Sequence, residues 1–414
     1  MEAGHIISGI RQTASRLAES ITHTKCSSSP SAAPAAEPRI VALDGLRGLM
    51  TIMVVISHFF AEVPHGFSGF SFGWIGVEMF FVLSGYLVGR LILEKMDRAN
   101  FVVVFYIRRV CRTLPVYFFC VVLVFALMTA FSNRPWADPE AAFPLWSYLT
   151  FFQNFYMVST DTIGAHWLSP TWTLTVEEHF YLLAPAVFFF VPRHRLIAVF
   201  SCAIAVSVFY RYLVFGLDLF PRTAGLCLLP GVANGLLCGL IAAILIKTEG
   251  IDWKRYDLVL RAGPLAALII TIALHLIGDD KAAIFHIWSG LVVSIGCAMY
   301  ILAIVRGSPE GKRLEHPFYC FFGTNSYSIY LTHLTVLGLM HGLLLNMTPD
   351  ISTATQMAVT IAALPVSAFT GWLFTQIVEH PITNYGRTWQ WSKELRAPKV
   401  STSSTPVAGL KLAS

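Results

Sequence analysis

The sequence predicts an all-α fold of the polytopic membrane type, a helical bundle with about ten transmembrane helices. Hydrophobic residues make up 55% of the 414 residues, charged residues make up only 13%, and the mean hydropathy is +0.63. Soluble domains carry about 25% charged residues, so this chain has too few charges to cover a surface exposed to water. Apolar stretches of about 20 residues, the length of a spanning helix, recur along the chain.

Ten apolar segments approach the length needed to cross a membrane. The seventh is short, and the fourth begins with polar residues. The segment 144–158, PLWSYLTFFQNFYMV, is short and aromatic, so we expect it to lie at the membrane interface or to re-enter from one side. The predicted spans are 45–62, 74–93, 114–131, 172–192, 196–215, 223–246, 263–277, 284–305, 321–345 and 354–378.

These spans define one membrane domain, residues 41–388, between two polar tails. Residues 1–40 are rich in Ser, Ala and Pro and lack the apolar core of a signal peptide, which predicts a disordered cytoplasmic tail. Residues 389–414 are predicted to form a second polar cytoplasmic tail. Lysine and arginine are concentrated in alternate connections, which predicts an inner or plasma membrane protein with both termini in the cytoplasm. The predicted outer loops hold only Arg134, Arg222 and Lys281.

The basic and sulfur-containing residues exclude several other classes of protein. The net charge is +5, but the basic residues fall in short clusters rather than one patch, so no nucleic-acid partner is expected. The eight cysteines form no C-x-x-C pair, which supports neither a disulfide framework nor a zinc site. We therefore expect no metal, and the lipid bilayer is the predicted surrounding of the domain.

Arg47 and His58 lie eleven residues apart on the first predicted span. At about 100° per residue they share one helix face, separated by roughly 16 Å along the axis. Arginine binds phosphate through a planar fork, and a neutral histidine can accept a proton from a hydroxyl or be acylated itself. The pair suits an elongated anionic ligand that enters from the cytoplasm. An inner-surface anchor and a packing histidine are the simpler alternative.

Further ionisable residues fall in the middle-to-outer part of the other predicted spans. They are costly in a membrane and are therefore hypotheses for a functional cavity. A Glu–Arg pair with a purely structural role is the common alternative. These residues are Glu78, Glu177, Glu178, Arg211 and His333.

A basic cluster precedes the third predicted span. Arg108 and Arg112 are four residues apart and share a helix face, with Arg109 beside them. Basic residues flank most inner helix ends, so the cluster is either a membrane anchor or a phosphate-binding group next to Arg47.

Taken in order, these motifs resemble the acyltransferase family 3 membrane proteins, also called OafA-like O-acyltransferases. Arg47 and His58 match the family's R-x(10)-H pattern, and the likeness covers roughly residues 40–390. The later motifs are FFVLSGYL (80–87), RRVCRTLPVY (108–117), PTWTLTVEEHFYLLAP (170–185), YSIYLTH (327–333) and VEHP (378–381).

The resemblance implies transfer of an acyl group, usually acetyl, from cytoplasmic acyl-CoA to a hydroxyl of a carbohydrate or lipid-linked glycan. Acyl-CoA is then a co-substrate, with no permanently bound cofactor. His58 is implied as the catalytic histidine and Arg47 as its companion. The CoA phosphates are expected near Arg47, Arg108, Arg109 and Arg112.

The same resemblance assigns expectations to the remaining candidates. One glutamate of Glu177 and Glu178 is expected to orient or charge-balance the imidazole, with Glu178 favoured, and the other to hold Arg211. Glu78, Arg211 and His333 are expected to bind substrate. The PTWTLTVEEHF motif has Thr173 where serine is common in the family. We expect no SGNH-type hydrolase domain after the tenth span, and we therefore expect acceptor recognition from the membrane part, the loop 132–170 or a partner.

Two other functions compete with acyl transfer. A transporter or exporter of a polar or acylated solute would use the same intramembrane charges as a path, but no internal repeat is visible in the sequence. A structural membrane scaffold would leave the buried charges unexplained. The identity of the acceptor and the acyl chain stay open at this point.

Overall fold

The computed structural model describes residues 40–276 and 282–393, and all regular secondary structure within them is helical. Three parts of the predictions lie outside the described residues: the tail 1–40 except Ile40, the loop residue Lys281, and residues 394–414 of the second tail. The α-helices are α1 (Val41–Phe60), α2 (Gly73–Lys95), α3 (Phe101–Ala130), α4 (Leu145–Leu149), α5 (Gln153–Thr160), α6 (Thr171–Phe190), α7 (Leu196–Arg211), α8 (Arg222–Cys227), α9 (Leu229–Lys247), α10 (Trp253–Leu276), α11 (Ala282–Val305), α12 (Pro309–Leu314), α13 (Pro317–Thr324), α14 (Ser326–Leu345), α15 (Ala354–Phe374) and α16 (His380–Thr388).

Short 3₁₀ and π segments join these helices. A π segment extends α7 beyond Arg211, and another connects α15 to α16. The 3₁₀ segments are Ser68–Phe70, Pro139–Ala141, His166–Leu168 and Arg193–Arg195, and the π segments are Tyr212–Gly216 and Thr375–Glu379.

The bundle confirms the predicted all-α membrane fold, with one change in the number of spans. Among the described residues, nine helical stretches are long and apolar enough to cross a membrane. The fourth predicted span, 172–192, does form helix α6, but Glu177 and Glu178 make it more polar than the others, and it is not among the nine. The nine stretches are Val41–Phe60, Ser68–Lys95, Phe101–Ala130, Arg193–Gly216, Arg222–Lys247, Trp253–Leu276, Ala283–Val305, Ser326–Leu345 and Ala354–Thr388.

Helix α3 begins earlier than the sequence predicts. It starts at Phe101 rather than near residue 114 and continues through Pro115. The arginines that we placed before the span therefore lie inside the helix. Aromatic rings lie beside one of these charges: the guanidinium of Arg109 sits 4.8 Å from the ring centre of Tyr181 and 5.8 Å from that of Phe105.

Helix α1 is fixed in the bundle by close backbone contacts at glycine. A Cβ atom on Gly48 would lie 1.8 Å from the carbonyl oxygen of Tyr319 in α13, and one on Gly323 would lie 1.8 Å from the carbonyl oxygen of Asp44. Small residues allow membrane helices to approach this closely. Helices α12 and α14 also pack on α1. The position of Arg47, beside Gly48, is thus set by the fold.

The aromatic segment 144–158 does not form a spanning helix, and the sequence analysis also predicts that it does not span the membrane. It forms the short helices α4 and α5, whose polar residues bind neighbouring elements. The Gln153 amide donates to the hydroxyl of Tyr117 at 3.1 Å. The Asn154 amide donates to the carbonyls of Trp172, at 2.9 Å, and Cys227, at 2.7 Å. These bonds tie the segment to α3, α6 and α8.

Candidate active site

Two histidines from distant parts of the chain meet at the centre of the candidate site. Nδ1 of His58, on α1, lies 2.6 Å from Nε2 of His333, on α14. Their rings lie end to end in nearly one plane, with centres 4.9 Å apart and planes 8° apart. His333 is fully buried, and its Nδ1 lies 2.7 Å from the carbonyl oxygen of Tyr330. His58 thus has a fixed partner on one side of its ring.

The other ring nitrogen of His58 faces a carboxylate that the sequence reasoning missed. Nε2 of His58 lies 3.5 Å from Oε2 of Glu62, whose side chain is 51% exposed. The Ser57 hydroxyl donates to the other carboxylate oxygen at 3.1 Å. The pKa of Glu62 is raised, because partial removal of the carboxylate from water outweighs the lowering by Ser57 and by the nearby His166. A carboxylate four residues after a helical histidine is a signal that sequence could have given.

His166 brings the loop 132–170 to this end of the bundle. It begins the 3₁₀ segment His166–Leu168 and is exposed, while the following Trp167 is buried. The indole of Trp167 packs against Gly338 on α14, where a Cβ would lie 2.0 Å from its nitrogen. The loop is therefore packed against the helix that carries His333.

A charged cavity of about 770 Å³ lies on the Arg47 side of the histidine pair. Its lining combines residues of α1, α2, α3, α6, α14 and α16 with the segment after α16. Seven of the lining side chains are basic and three are acidic, so the cavity suits an anionic ligand. The basic ones are Arg47, Arg90, Lys95, Arg108, Arg109, Arg112 and Arg387, and the acidic ones are Asp44, Glu94 and Glu177.

The lining of the cavity includes Tyr330, which neighbours the histidine pair. The Tyr330 ring lines the cavity, and its hydroxyl lies 3.0 Å from that of Thr173, which also lines it. The ring centre of Tyr330 is 5.8 Å from that of His333. A residue that lines the charged cavity is thus in direct neighbourhood of His333.

Arg108 differs from the other predicted phosphate-binding arginines. It lines the cavity, but its Nε and Nη2 donate to the carbonyl oxygen of Trp389 at 3.1 and 2.7 Å. Its guanidinium also lies 5.1 Å from the ring centre of Trp391. Most of its donors are thus engaged in holding the chain after α16 against α3. Arg47, Arg109 and Arg112 also line the cavity.

The two adjacent glutamates do not take the places expected for them. Glu177 lines the cavity and accepts from the hydroxyls of Ser84, at 2.6 Å, and Tyr181, at 3.0 Å. Glu178 accepts from the Thr113 hydroxyl at 2.8 Å. Within the part of the chain that the structure describes, neither forms a hydrogen bond with His58 or Arg211, because α6 turns them toward α2 and α3. The expectation that one orients the imidazole and the other holds Arg211 is corrected accordingly.

Glu78 and Arg211 form a separate polar cluster. The buried Arg211 guanidinium donates to the carbonyl oxygens of Gly225, at 3.1 Å, and Gly231, at 2.8 Å, and also to that of His286. Glu78 accepts from the Ser294 hydroxyl at 3.1 Å. Neither residue is among the described residues that line the cavity, so the structure does not bring them to the histidine pair. Their contacts are those of a cluster that ties α7, α9 and α11 together.

The comparison with protein families decides the affiliation of the chain. A family model described as "Acyltransferase domain" matches residues 40–375. The chain belongs to the acyltransferase 3 family. The match confirms the resemblance drawn from the motifs and covers the helices that carry both histidines and all of the helices that line the cavity except α16.

Relatives of this acyltransferase 3 protein are found in Staphylococcus aureus. A protein of strain COL named "Putative O-acetyltransferase" is 25% identical over 333 residues, which cover 73% of this chain and 51% of the relative. The "O-acetyltransferase OatA" of strain NCTC 8325 is 25% identical over 325 residues, 71% of this chain and 50% of the relative. The chain thus spans about half the length of the curated relatives that it matches. No solved structure shows a significant match.

The described histidine, cysteine and carboxylate side chains form no group of three able to hold a metal ion. The chemistry available at the site is that of an imidazole beside a carboxylate, with a basic cavity on one side.

Proposed function

We propose that this acyltransferase 3 protein transfers an acyl group, which the names of its relatives indicate to be acetyl, from cytoplasmic acyl-CoA to a hydroxyl of a carbohydrate acceptor. The observation that carries the proposal is the basic cavity that ends beside the His58–His333 pair. A phosphate-rich donor and a proton-accepting imidazole are the two elements that this reaction requires. The acceptor in this proposal is a carbohydrate that binds on the outer side of the membrane.

The cavity residues fit a CoA thioester. Arg47, Arg109 and Arg112 are available to bind its phosphates, and guanidinium groups bind phosphate through paired, charge-assisted hydrogen bonds. The thioester end would extend toward Thr173 and Tyr330, in the direction of His58. With both termini in the cytoplasm, the end of α1 that carries Arg47 and the end of α3 that carries Arg109 and Arg112 face the cytoplasmic pool of acyl-CoA.

The acceptor would approach His58 from the opposite side. Glu62 and His166 are exposed there, and the gap of 3.5 Å between Nε2 of His58 and Oε2 of Glu62 lies where a hydroxyl would dock. Nε2 takes the hydroxyl proton as the oxygen attacks the thioester carbonyl. The C–S bond then breaks, and the CoA sulfur leaves as a thiolate that takes up a proton. The variant path, acylation of His58 followed by attack of the hydroxyl, uses the same residues.

Membranes that contain the full chain, supplied with labelled acetyl-CoA, test this proposal. We expect His58→Ala to lower kcat by about 100-fold or more, because the general base is lost. Arg47→Ala should raise the KM for acetyl-CoA by about 10-fold, since a charge-assisted hydrogen bond is removed.

Matched controls use residues outside the site. His65→Ala removes an exposed histidine that pairs with Asp350, and Arg193→Ala removes an exposed arginine that pairs with Asp97; both should transfer label like the wild type. Full transfer by both His58→Ala and Arg47→Ala would overturn the proposal. Movement of an unmodified solute that needs no acyl-CoA would instead identify a transporter.

A further inference from the structure

We infer that His333 is a positioning residue that fixes the tautomer of His58, so that Nε2, and not Nδ1, is the nitrogen that accepts the proton. The inference rests on the proposed function for its catalytic meaning. It assigns to His333 a role different from the substrate binding expected from sequence, because the ring lies against His58 and is fully buried.

The assignment follows from which atoms can donate. The carbonyl oxygen of Tyr330 can only accept, so Nδ1 of His333, 2.7 Å away, carries a hydrogen. In a neutral imidazole the other nitrogen then has a lone pair, and Nε2 of His333 is an acceptor. Nδ1 of His58, at 2.6 Å from it, must therefore be the donor. This leaves the lone pair of His58 on Nε2.

That lone pair has the orientation that catalysis needs. Nε2 of His58 faces Glu62 across 3.5 Å, on the side where the acceptor hydroxyl would dock. When Nε2 takes the proton, Nδ1 keeps its hydrogen bond to His333, and the new N–H points toward the Glu62 carboxylate. No ring rotation or tautomer exchange is required during the reaction. In the opposite tautomer, Nε2 would carry a hydrogen before the hydroxyl arrived and could not act as a base.

His333 is held in place strongly enough to impose this choice. Besides the bond to the Tyr330 carbonyl, its ring lies between aromatic neighbours, with centres 6.2 Å from Phe59 and 5.8 Å from Tyr330. A partner fixed by its own contacts orients a catalytic ring better than a mobile one.

Two substitutions of similar size separate positioning from packing. In His333→Gln the side chain can donate to the Tyr330 carbonyl and accept from Nδ1 of His58, as His333 does. In His333→Leu the volume is largely kept, but both polar functions are lost. We expect His333→Leu to lower kcat by about 10- to 100-fold with little change in donor KM, and His333→Gln to be at least about 5-fold more active than His333→Leu.

Two outcomes of this kinetic comparison between His333→Gln and His333→Leu would contradict the inference. Equal kcat values for the two variants, with the same thermal denaturation midpoint in detergent, would overturn the inference, because an acceptor at this place would then make no difference. Wild-type activity in His333→Leu would overturn it as well.

A second measurement reads the tautomer without relying on activity. The full-length wild-type chain, labelled with ¹⁵N in its histidines and compared with His58→Ala to assign the signal, should show the non-protonated nitrogen of His58 to be Nε2. A non-protonated Nδ1 would overturn the inference. Failure of the proposed function is distinguishable, because retained acyl transfer in His58→Ala would refute that function while leaving the tautomer result unaffected.

Discussion

At the scale of single residues, the contact that builds the site joins positions 275 residues apart in the chain. Helical periodicity places Arg47 and His58 on one face, and this part of the site could be predicted from sequence. Glu62 follows His58 at a helical interval and could have been found in the same way. The pairing of His58 with His333 could not, because it depends on how α1 and α14 pack, and no local pattern encodes that.

Glu62 gives a prediction that concerns pH. If its carboxylate stabilises the protonated His58, Glu62→Gln should lower kcat at neutral pH by about 10-fold, since a charge-assisted hydrogen bond is lost. Burial raises the pKa of Glu62. The wild-type kcat should therefore rise with pH over a range above that of a free carboxyl group, as Glu62 loses its proton.

Measurement of kcat against pH for the wild type and Glu62→Gln checks this prediction. The rising limb should be absent in the variant, while Asp350→Asn, which changes another carboxylate beside an exposed histidine, should keep it. The same rising limb in Glu62→Gln would contradict the role given to this carboxylate.

At the scale of the helices, the positions of the spanning helices could be predicted from sequence better than the residues at which they begin and end. Helix α3 extends 13 residues before the predicted start at residue 114, because aromatic rings support Arg109 within the helix. Helix α6 was predicted as a span on length, although its two glutamates point into the bundle. In both cases the contacts of a charged side chain decide the outcome, and hydropathy alone does not contain them.

The crossing of α1 and α13 gives a prediction of stability. Gly48→Ala places a methyl group where the Tyr319 carbonyl oxygen already lies, so the helices must separate. We expect a loss of about 1–3 kcal/mol, typical of overpacking, measured as a lower thermal denaturation midpoint in detergent. Gly69→Ala is the matched control, because nothing lies within 4 Å of a Cβ there. Equal midpoints for both variants would show that the crossing has no such constraint.

At the scale of the whole molecule, the cavity and the exposed Glu62 lie toward opposite ends of α1. The fold class and the orientation hypothesis came from composition and from the distribution of basic residues, which are properties of the entire chain. The cavity could be anticipated only in outline, because its lining combines residues of six helices and of the segment after α16.

This arrangement predicts a sided reaction. Sealed inside-out vesicles should transfer label from acetyl-CoA added to the outer solution, because the basic end of the cavity then faces that solution. Right-side-out vesicles should transfer none until they are permeabilised. The comparison needs equal amounts of protein in the two preparations, checked by immunoblotting. Equal transfer by both intact preparations would contradict the predicted orientation of the donor site.

The hydrogen bond between Tyr330 and Thr173 also bears on the energy supply of the cell. An enzyme that joins reactants from two compartments would drain the ion gradients across its membrane if water could pass through it. Here the hydroxyls of Tyr330 and Thr173 meet, and the buried His333 ring lies behind them. A contact that parts only for the thioester would let the enzyme join the two reactants while the membrane potential is kept.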